Sequence, residues 1–133
     1  MPTDVCVPIR ADTDILAARQ AGRHVASSLA FSPSDLTVIA AAISEVARNI
    51  LVYAAHGEVQ LGVVEQNGRR GVSVVARDEG PGIADITLAL QDGFSTSGSL
   101  GLGLPGARRL MDDFMIQSEM GRGTVITMRK WAR

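Results

Sequence analysis

Apolar residues recur along the chain with two different spacings, and these spacings predict its helices and strands. After Asp12, which is suited to cap a helix, apolar positions return every three or four residues as far as Leu29. This predicts a helix with one buried stripe. A second helix is predicted over 33–54, because Ser32 can cap it and Pro33 suits its first position.

Strands are predicted where apolar and polar residues alternate. They cover residues 3–9, 58–65, 71–78, 114–119 and 124–131. Asn67-Gly68 supplies the positive backbone angles of a tight hairpin between the second and third strands. Two more helices are predicted over 85–91 and 101–112, separated by a Ser/Gly-rich stretch over 93–99. With no repeats or linker, this layout predicts one domain over 1–133. The strands are expected to form one mixed sheet with helices packed on it.

The composition narrows the classes of partner. Hydrophobic residues make up 46% and charged residues 20% of the 133 residues, and the formal net charge is -1. This balance does not favour nucleic acid or an acidic membrane as a partner. The sequence lacks a continuous apolar run of about 20 residues and a secretory signal, so we expect a cytoplasmic protein. Cys6 has no second cysteine or companion ligand, and we expect it to be a small buried hydrophobic residue.

The second helix carries two polar residues in apolar surroundings. Between Leu36 and Ala54 it is apolar on nearly every side, which predicts that it is buried. Glu45 and Asn49 are four residues apart, so their side chains project together and need polar partners. Two interpretations are open. Glu45 pairs with Arg48 or another arginine while Asn49 bonds to the backbone, or the two residues belong to a binding site.

The strand over 71–78 ends in the motif D-x-G-x-G, which is formed by Asp78, Gly80 and Gly82. By the alternation of strand residues, Asp78 lies on the same face as Val74 and points towards the core. A buried carboxylate needs hydrogen-bond donors, and an adenine amino group is a suitable one. The two glycines allow the backbone to approach a flat ligand closely. The alternative is a plain turn, since Asp and Gly are common turn residues.

A third motif, G-x-G-x-x-G, is formed by Gly101, Gly103 and Gly106. It is not a dinucleotide-binding fingerprint, because the polar stretch Phe94–Ser99 precedes it where that fingerprint requires a strand. The glycines nevertheless open a helix, whose backbone N–H groups and positive end can hold phosphates. The Ser/Gly-rich stretch before them is interpreted as a lid over a nucleotide.

The order of these motifs resembles that of the Bergerat-fold, or GHKL, ATPases. This resemblance implies an α+β two-layer sandwich, in which helices pack on one face of a mixed, mostly antiparallel sheet and a Ser/Gly-rich lid covers ATP. An E-x-x-x-N helix, a D-x-G-x-G strand end, a Ser/Gly lid leading into G-x-G, and the G-x-G-T of 121–124 follow one another. Within that class, the chain is most similar to the RsbT-type serine/threonine switch kinases of the anti-sigma-factor kinase branch. The similarity extends from about Asp14 to the C-terminus. It includes the segments AARQAGR, AISEVARNI, DEGPGI, DGFSTSGSLG, GLPGARRLMD and KWAR.

The resemblance implies a site for ATP and Mg²⁺. Glu45 corresponds to the acid that assists phosphoryl transfer, Asn49 to the magnesium ligand that also contacts ATP, and Asp78 to the residue that reads adenine. The further ATP contacts that it implies are Gly80, Gly82, Ile83, Gly98, Gly101, Leu102, Gly103 and Thr124. General chemistry agrees, since Mg²⁺ prefers oxygen ligands and phosphoryl transfer depends mainly on positioning and charge neutralisation.

The resemblance also implies partners. Such kinases phosphorylate STAS-domain antagonist and scaffold proteins in partner-switching stress modules of the stressosome type. After release they activate an effector such as a PP2C-type phosphatase. The alternative is an anti-sigma factor, or an ATP-gated adaptor, that binds its partner without phosphotransfer.

The predicted lid is uncharged at the point where a basic residue would help. No Lys or Arg occurs between Phe94 and Gly101. The charge of the γ-phosphate must therefore be met by Arg108, by a partner or by Mg²⁺ alone, and we expect slow turnover without a partner.

Overall fold

The computed structural model describes residues 4–82 and 103–132. The described elements are β1 Val5–Ile9, α1 Asp12–Ala26, α2 Pro33–Ala54, β2 Gly57–Gln66, β3 Arg69–Asp78, α3 Gly103–Leu110, β4 Asp113–Glu119 and β5 Gly123–Trp131. Most predicted boundaries agree to within two residues, although α1 ends three residues before Leu29. The predicted helix over 85–91 and the predicted lid lie outside the described residues. So do Ile83, Gly98, Gly101 and Leu102.

The five described strands form one sheet in the order β1-β2-β3-β5-β4. Every neighbouring pair among them is antiparallel, which confirms the mostly antiparallel sheet. The hairpin between β2 and β3 turns at Asn67 and Gly68, whose φ angles are 55° and 79°. This confirms the predicted turn. The last hairpin places β5 next to β3 in the interior of the sheet and leaves β4 at the edge.

The helices α1 and α2 pack on one face of this sheet, as the two-layer prediction requires. The buried residues of that face are Val59 and Leu61 in β2, Val72, Val74 and Ala76 in β3, and Ile126 and Met128 in β5. The strand register aligns them in rows, with Val74 between Leu61 and Met128. Full burial of each large apolar side chain stabilises the fold by about 1.5–3 kcal/mol. The core therefore lies between the sheet and α2.

The helix α2 is long and apolar enough to cross a membrane, but 56% of its most apolar window is buried inside the fold. Ile39, Ile43 and Val46 are fully buried against the other elements. The start of α2 is as predicted, since Ser32 Oγ accepts the Asp35 N–H at 3.0 Å. It is the central helix of the core.

Two predictions were wrong. The cap of α1 is Ala11 rather than Asp12, and the Asp14 carboxylate instead accepts the N–H groups of Arg10 and Ala11 at 2.9 and 3.1 Å. Cys6 is exposed, because it lies on the sheet face opposite the helices, where its thiol donates to Glu58 Oε2 at 3.2 Å. That hydrogen bond, with smaller contributions from burial and from the Glu58 charge, raises the pKa of the Cys6 thiol.

Candidate functional site

Glu45 lies in the middle of α2 and is only 9% exposed. Its Oε1 accepts a hydrogen bond from Arg48 Nη1 at 2.9 Å, one turn along the same helix. The same oxygen accepts the backbone N–H of Gly103 at 3.0 Å, from the first residue of α3. The pairing with Arg48 is one of the two interpretations of the sequence. The bond to Gly103 was not predicted, and it connects Glu45 to the glycine motif.

Asn49 lies one helical turn beyond Glu45 and is 3% exposed. Its Oδ1 is buried and accepts no hydrogen bond from the described part of the chain. The expected alternative, a bond to the backbone, therefore does not satisfy this oxygen. An unsatisfied buried acceptor costs about 1–3 kcal/mol, so a partner that supplies positive charge would be favoured here.

The oxygen of Asn49 fits a magnesium ion better than a transition metal. Mg²⁺ binds oxygen ligands and usually retains waters and substrate phosphates, so one protein ligand can suffice. Residues 4–82 and 103–132 contain no cluster of three or more His, Cys, Asp or Glu that could hold a metal by itself. A Mg²⁺ ion at Asn49 would be compatible with a ligand that brings its own oxygens, such as a nucleoside triphosphate.

Asp78 ends β3 and is 7% exposed. Its Oδ1 accepts the Gly80 N–H at 3.0 Å and the Thr124 N–H at 3.2 Å. The first bond makes the local turn that the alternative interpretation expected, and the second joins β3 to β5. Thr124 is also buried, and its hydroxyl lies 2.9 Å from that of Ser118. Asp78 therefore organises the strand ends and leaves its carboxylate facing the core side.

The loop after Asp78 is held between α2 and the last hairpin. A Cβ on Gly80 would lie 2.8 Å from Ala54 Cα, so only glycine lets the loop approach the end of α2 this closely. On the other side, the Gly121 N–H donates to Pro81 O at 2.9 Å. Gly123 has a φ of 118° and contacts the backbone of Asp78 so closely that a Cβ would overlap it. The D-x-G-x-G and G-x-G-T motifs thus form one packed unit.

The predicted site residues form two clusters along α2. Glu45, Asn49 and Gly103 lie at its middle, and Asp78, Gly80 and Thr124 lie at its C-terminal end. From Asn49 to Ala54 the helix advances about 7–8 Å at 1.5 Å per residue. Gly82 has a positive φ of 84° in the same loop as Gly80. This arrangement suits an elongated ligand with its flat end at Asp78 and its anionic end at Gly103.

Two arginines were considered for this site, Arg48 as a partner of Glu45 and Arg108 as a group that meets the charge of the γ-phosphate. Arg108 is an exposed residue of α3, whereas Arg48 contacts Glu45 and is about one third exposed. Ser118 was also missed. Alternation along β4 places Ser118 on the same face as Phe114 and Ile116, and this could have indicated its contact with Thr124.

One cavity beside the described residues lies elsewhere. It measures about 730 Å³ and is lined by Arg69, Arg70, Asp112, Asp113 and Trp131 at the opposite end of β3. Two carboxylates of this cavity already have donors, since the indole N–H of Trp131 donates to Asp113 at 2.9 Å and the backbone N–H of Trp131 donates to Asp112 at 2.8 Å. Two smaller cavities, of about 310 and 400 Å³, both reach Asp78. These two cavities make the Asp78 end of the sheet the candidate site.

Comparisons with known proteins agree with these motifs. Residues 9–130 match the family described as the histidine kinase-like ATPase domain. The chain is 51% identical over 128 residues to the serine/threonine-protein kinase RsbT of Bacillus subtilis (strain 168), and the match covers 96% of both chains. It is 33% identical over 104 residues to the anti-sigma F factor of Geobacillus sp. (strain WCH70), covering 73% of this chain and 70% of that protein.

Two solved structures share the fold. The mycobacterial sensor histidine kinase MprB aligns with a TM-score of 0.57 and 16% identity, over 100% of this chain and 99% of the other. A chain of the SiaB-SiaC complex from Pseudomonas aeruginosa also aligns with a TM-score of 0.57 and 16% identity, covering 96% of this chain and 89% of its own. At these identities the likeness concerns the fold alone.

Proposed function

Because the chain belongs to the histidine kinase-like ATPase family and is a serine/threonine protein kinase of the RsbT type, we propose that it transfers the γ-phosphate of ATP to a separate STAS-domain protein. In this proposal the STAS-domain antagonist and scaffold proteins of a partner-switching stress module are the substrates. When released, the kinase binds and activates a downstream effector such as a PP2C-type phosphatase. The proposal places this activity in the cytoplasm, within a single domain over 1–133.

One observation carries the assignment of the reaction. The buried Oδ1 of Asn49 lacks a donor among the described residues, and it lies one helical turn from the carboxylate of Glu45. A binding module needs a nucleotide site but no acid beside the metal position. A transferase needs both, since the attacking hydroxyl must lose a proton next to a charged phosphate.

The proposed roles follow the two clusters. At the C-terminal end of α2, the Asp78 carboxylate would accept a hydrogen bond from the adenine amino group. Gly80 and Gly82 would leave room for the ring. At the middle of α2, Asn49 would hold Mg²⁺, which neutralises phosphate charge when bound. The backbone N–H of Gly103, with Gly101 before it, would bind the terminal phosphates.

In the transfer step the Glu45 carboxylate acts as a general base. The substrate hydroxyl oxygen forms a bond to the γ-phosphorus, and the bond between that phosphorus and the bridging oxygen of ADP breaks. The hydroxyl proton passes to the Glu45 carboxylate. The loss of a positioned acid or base typically slows such a step by about 10²–10⁴-fold.

A phosphotransfer assay tests this proposal. The purified chain is incubated with Mg²⁺, γ-³²P-labelled ATP and the purified STAS-domain proteins encoded in the same genome. We expect label on serine or threonine of one of them, and no label with Glu45→Gln. The matched control is Glu65→Gln, which alters an exposed glutamate at the end of β2 and should leave transfer unchanged. Rapid ATP hydrolysis by the isolated chain would count against the proposal, because nothing basic lies between Phe94 and Gly101.

The identity to the anti-sigma F factor favours a second candidate, a factor or adaptor that sequesters a sigma factor without phosphotransfer. The same assay separates the two. If no STAS-domain protein is labelled while a sigma factor from the same genome binds the chain with submicromolar affinity, the second candidate replaces the first.

A further inference from the structure

The first residue of α3 presents an unusual hydrogen bond. The leading N–H groups of a helix have no partner within the helix and attract anions. Gly103 has a φ of 70°, which favours glycine, and its N–H points at Glu45 Oε1 at a distance of 3.0 Å. A carboxylate of the protein itself therefore accepts from an N–H group of the kind that binds phosphate.

The same carboxylate oxygen has a second donor that does not belong to α3. Arg48 Nη1 lies 2.9 Å from Glu45 Oε1, and both residues are on α2. The bond to Arg48 is independent of the position of α3. An anion that binds the Gly103 N–H would consequently take this donor from Glu45. The bond from Arg48 to Glu45 would remain.

We propose that Glu45 and the terminal phosphates of ATP compete for the Gly103 N–H, and that Arg48 is a positioning residue that retains Glu45 when phosphate replaces it. The naming of ATP as the competing anion rests on the proposed function. The exchange would keep the acid beside the phosphate that it serves. Because of this competition, the site would bind ATP less tightly than the same site without the Glu45 carboxylate.

The competition has a counterintuitive consequence for nucleotide affinity. Glu45→Gln removes the charge that competes with phosphate and keeps the shape of the side chain. We expect this variant to bind the non-hydrolysable analogue AMP-PNP, with Mg²⁺, roughly tenfold more tightly than the wild type, as the loss of a charge-assisted competitor suggests. If Glu45 helped to bind ATP, the affinity would fall instead.

The role of Arg48 is tested in two backgrounds. Arg48→Met leaves the Glu45 charge without its partner on α2, so we expect AMP-PNP to bind roughly tenfold more weakly. In the Glu45→Gln background Arg48→Met should alter the affinity for AMP-PNP less than about twofold, because Arg48 acts through Glu45. If Arg48 touched phosphate directly, its loss would weaken binding equally in both backgrounds. Arg48→Lys should restore part of the affinity, and Arg23→Met, on the exposed end of α1, should have no effect.

The experiment is isothermal titration calorimetry of the wild type, the two single variants and the double variant. Amide hydrogen exchange of the nucleotide-free proteins is measured alongside it. We expect faster exchange at the start of α3 in Glu45→Gln than in the wild type or in Glu65→Gln. Equal or weaker AMP-PNP binding by Glu45→Gln overturns the competition, and an equal effect of Arg48→Met in both backgrounds overturns the positioning role.

The exchange measurement separates this inference from the proposed function. If the wild type binds no nucleotide, the proposed function fails whatever the exchange rates are. If the wild type binds AMP-PNP but exchange at the start of α3 is the same in Glu45→Gln, the contact between Glu45 and Gly103 is overturned while the kinase proposal stands.

Discussion

Replacement of Asp78 by asparagine separates recognition of adenine from stability of the fold. The Oδ1 of Asp78 accepts the N–H groups of Gly80 and Thr124 at 3.0 and 3.2 Å. The side-chain oxygen of asparagine can accept both bonds without moving. The change therefore falls on the other carboxylate oxygen, where an acceptor becomes an NH₂ donor.

The two consequences differ in size. A lost charge-assisted bond to the adenine amino group costs about 1.5–3 kcal/mol, and a buried donor facing another donor adds about 1–3 kcal/mol. At about 1.4 kcal/mol per tenfold change, ATP affinity should fall by roughly a hundredfold or more. The two structural bonds become neutral but persist, so we expect a loss of about 1 kcal/mol in the free energy of unfolding. That corresponds to a decrease of a few degrees in Tm.

Calorimetric titration with Mg²⁺ and AMP-PNP, together with a thermal melt, measures both quantities. Asp112→Asn is the matched control. Asp112 also accepts a backbone N–H, from Trp131 at 2.8 Å, but lies at the opposite end of the sheet. The control should bind AMP-PNP like the wild type. Wild-type affinity of Asp78→Asn would refute the adenine assignment. A loss of affinity caused by unfolding at the assay temperature would show that the bonds from Gly80 and Thr124 do not persist in this variant.

Three other predictions follow from the described contacts. Asn49→Ala should abolish the dependence of AMP-PNP binding on Mg²⁺, as measured by titration with and without the ion; an unchanged Mg²⁺ dependence would contradict its role as ligand. Gly123→Ala should lower the free energy of unfolding, measured in urea, by more than about 3 kcal/mol, because the new Cβ would overlap the Asp78 backbone. Gly121→Ala, where a Cβ has open space, should lower it by only about 1 kcal/mol. Glu58→Gln should speed the alkylation of Cys6 by iodoacetamide at pH 8, since the Glu58 carboxylate raises the pKa of this thiol and so reduces the thiolate fraction below that pKa.

Local sequence patterns predicted the elements well because their causes are local. The start of α2 depends on Ser32 and Pro33, and the first hairpin depends on Asn67-Gly68, all of which act within a few residues. The burial of Asp78 followed from alternation along one strand. The exceptions also have local explanations, since Asp14 rather than Asp12 satisfies the N–H groups that precede α1.

The links between motifs were beyond the reach of local patterns. The bond from Gly103 to Glu45 spans 58 positions, and the bond from Thr124 to Asp78 spans 46. Both depend on how elements pack after the chain has folded, and periodicity contains no information on which N–H group meets a given carboxylate. The order of the motifs along the chain indicated a common site. Its contacts required the structure.

The exposure of Cys6 illustrates a different limit. Strand alternation assigns Cys6 and Val7 to opposite faces, but it does not say which face the helices cover. An apolar residue type in an apolar stretch favoured burial of Cys6. In the structure Val7 faces the core, so its neighbour Cys6 lies on the opposite, exposed face.

NMR locates the nucleotide on the sheet residue by residue. A ¹⁵N-labelled sample is titrated with AMP-PNP and Mg²⁺ while amide and side-chain signals are followed by NMR. If ATP binds as proposed, the signals of the Gly80, Gly103 and Thr124 amides and of the Asn49 side-chain NH₂ shift. The indole signal of Trp131, the single tryptophan, should stay unchanged. Its ladder partner Gly71 lies seven residue steps along β3 from Asp78, or roughly 24 Å. A shifted indole with unchanged Gly80, Gly103 and Thr124 amides would contradict the placement of the site.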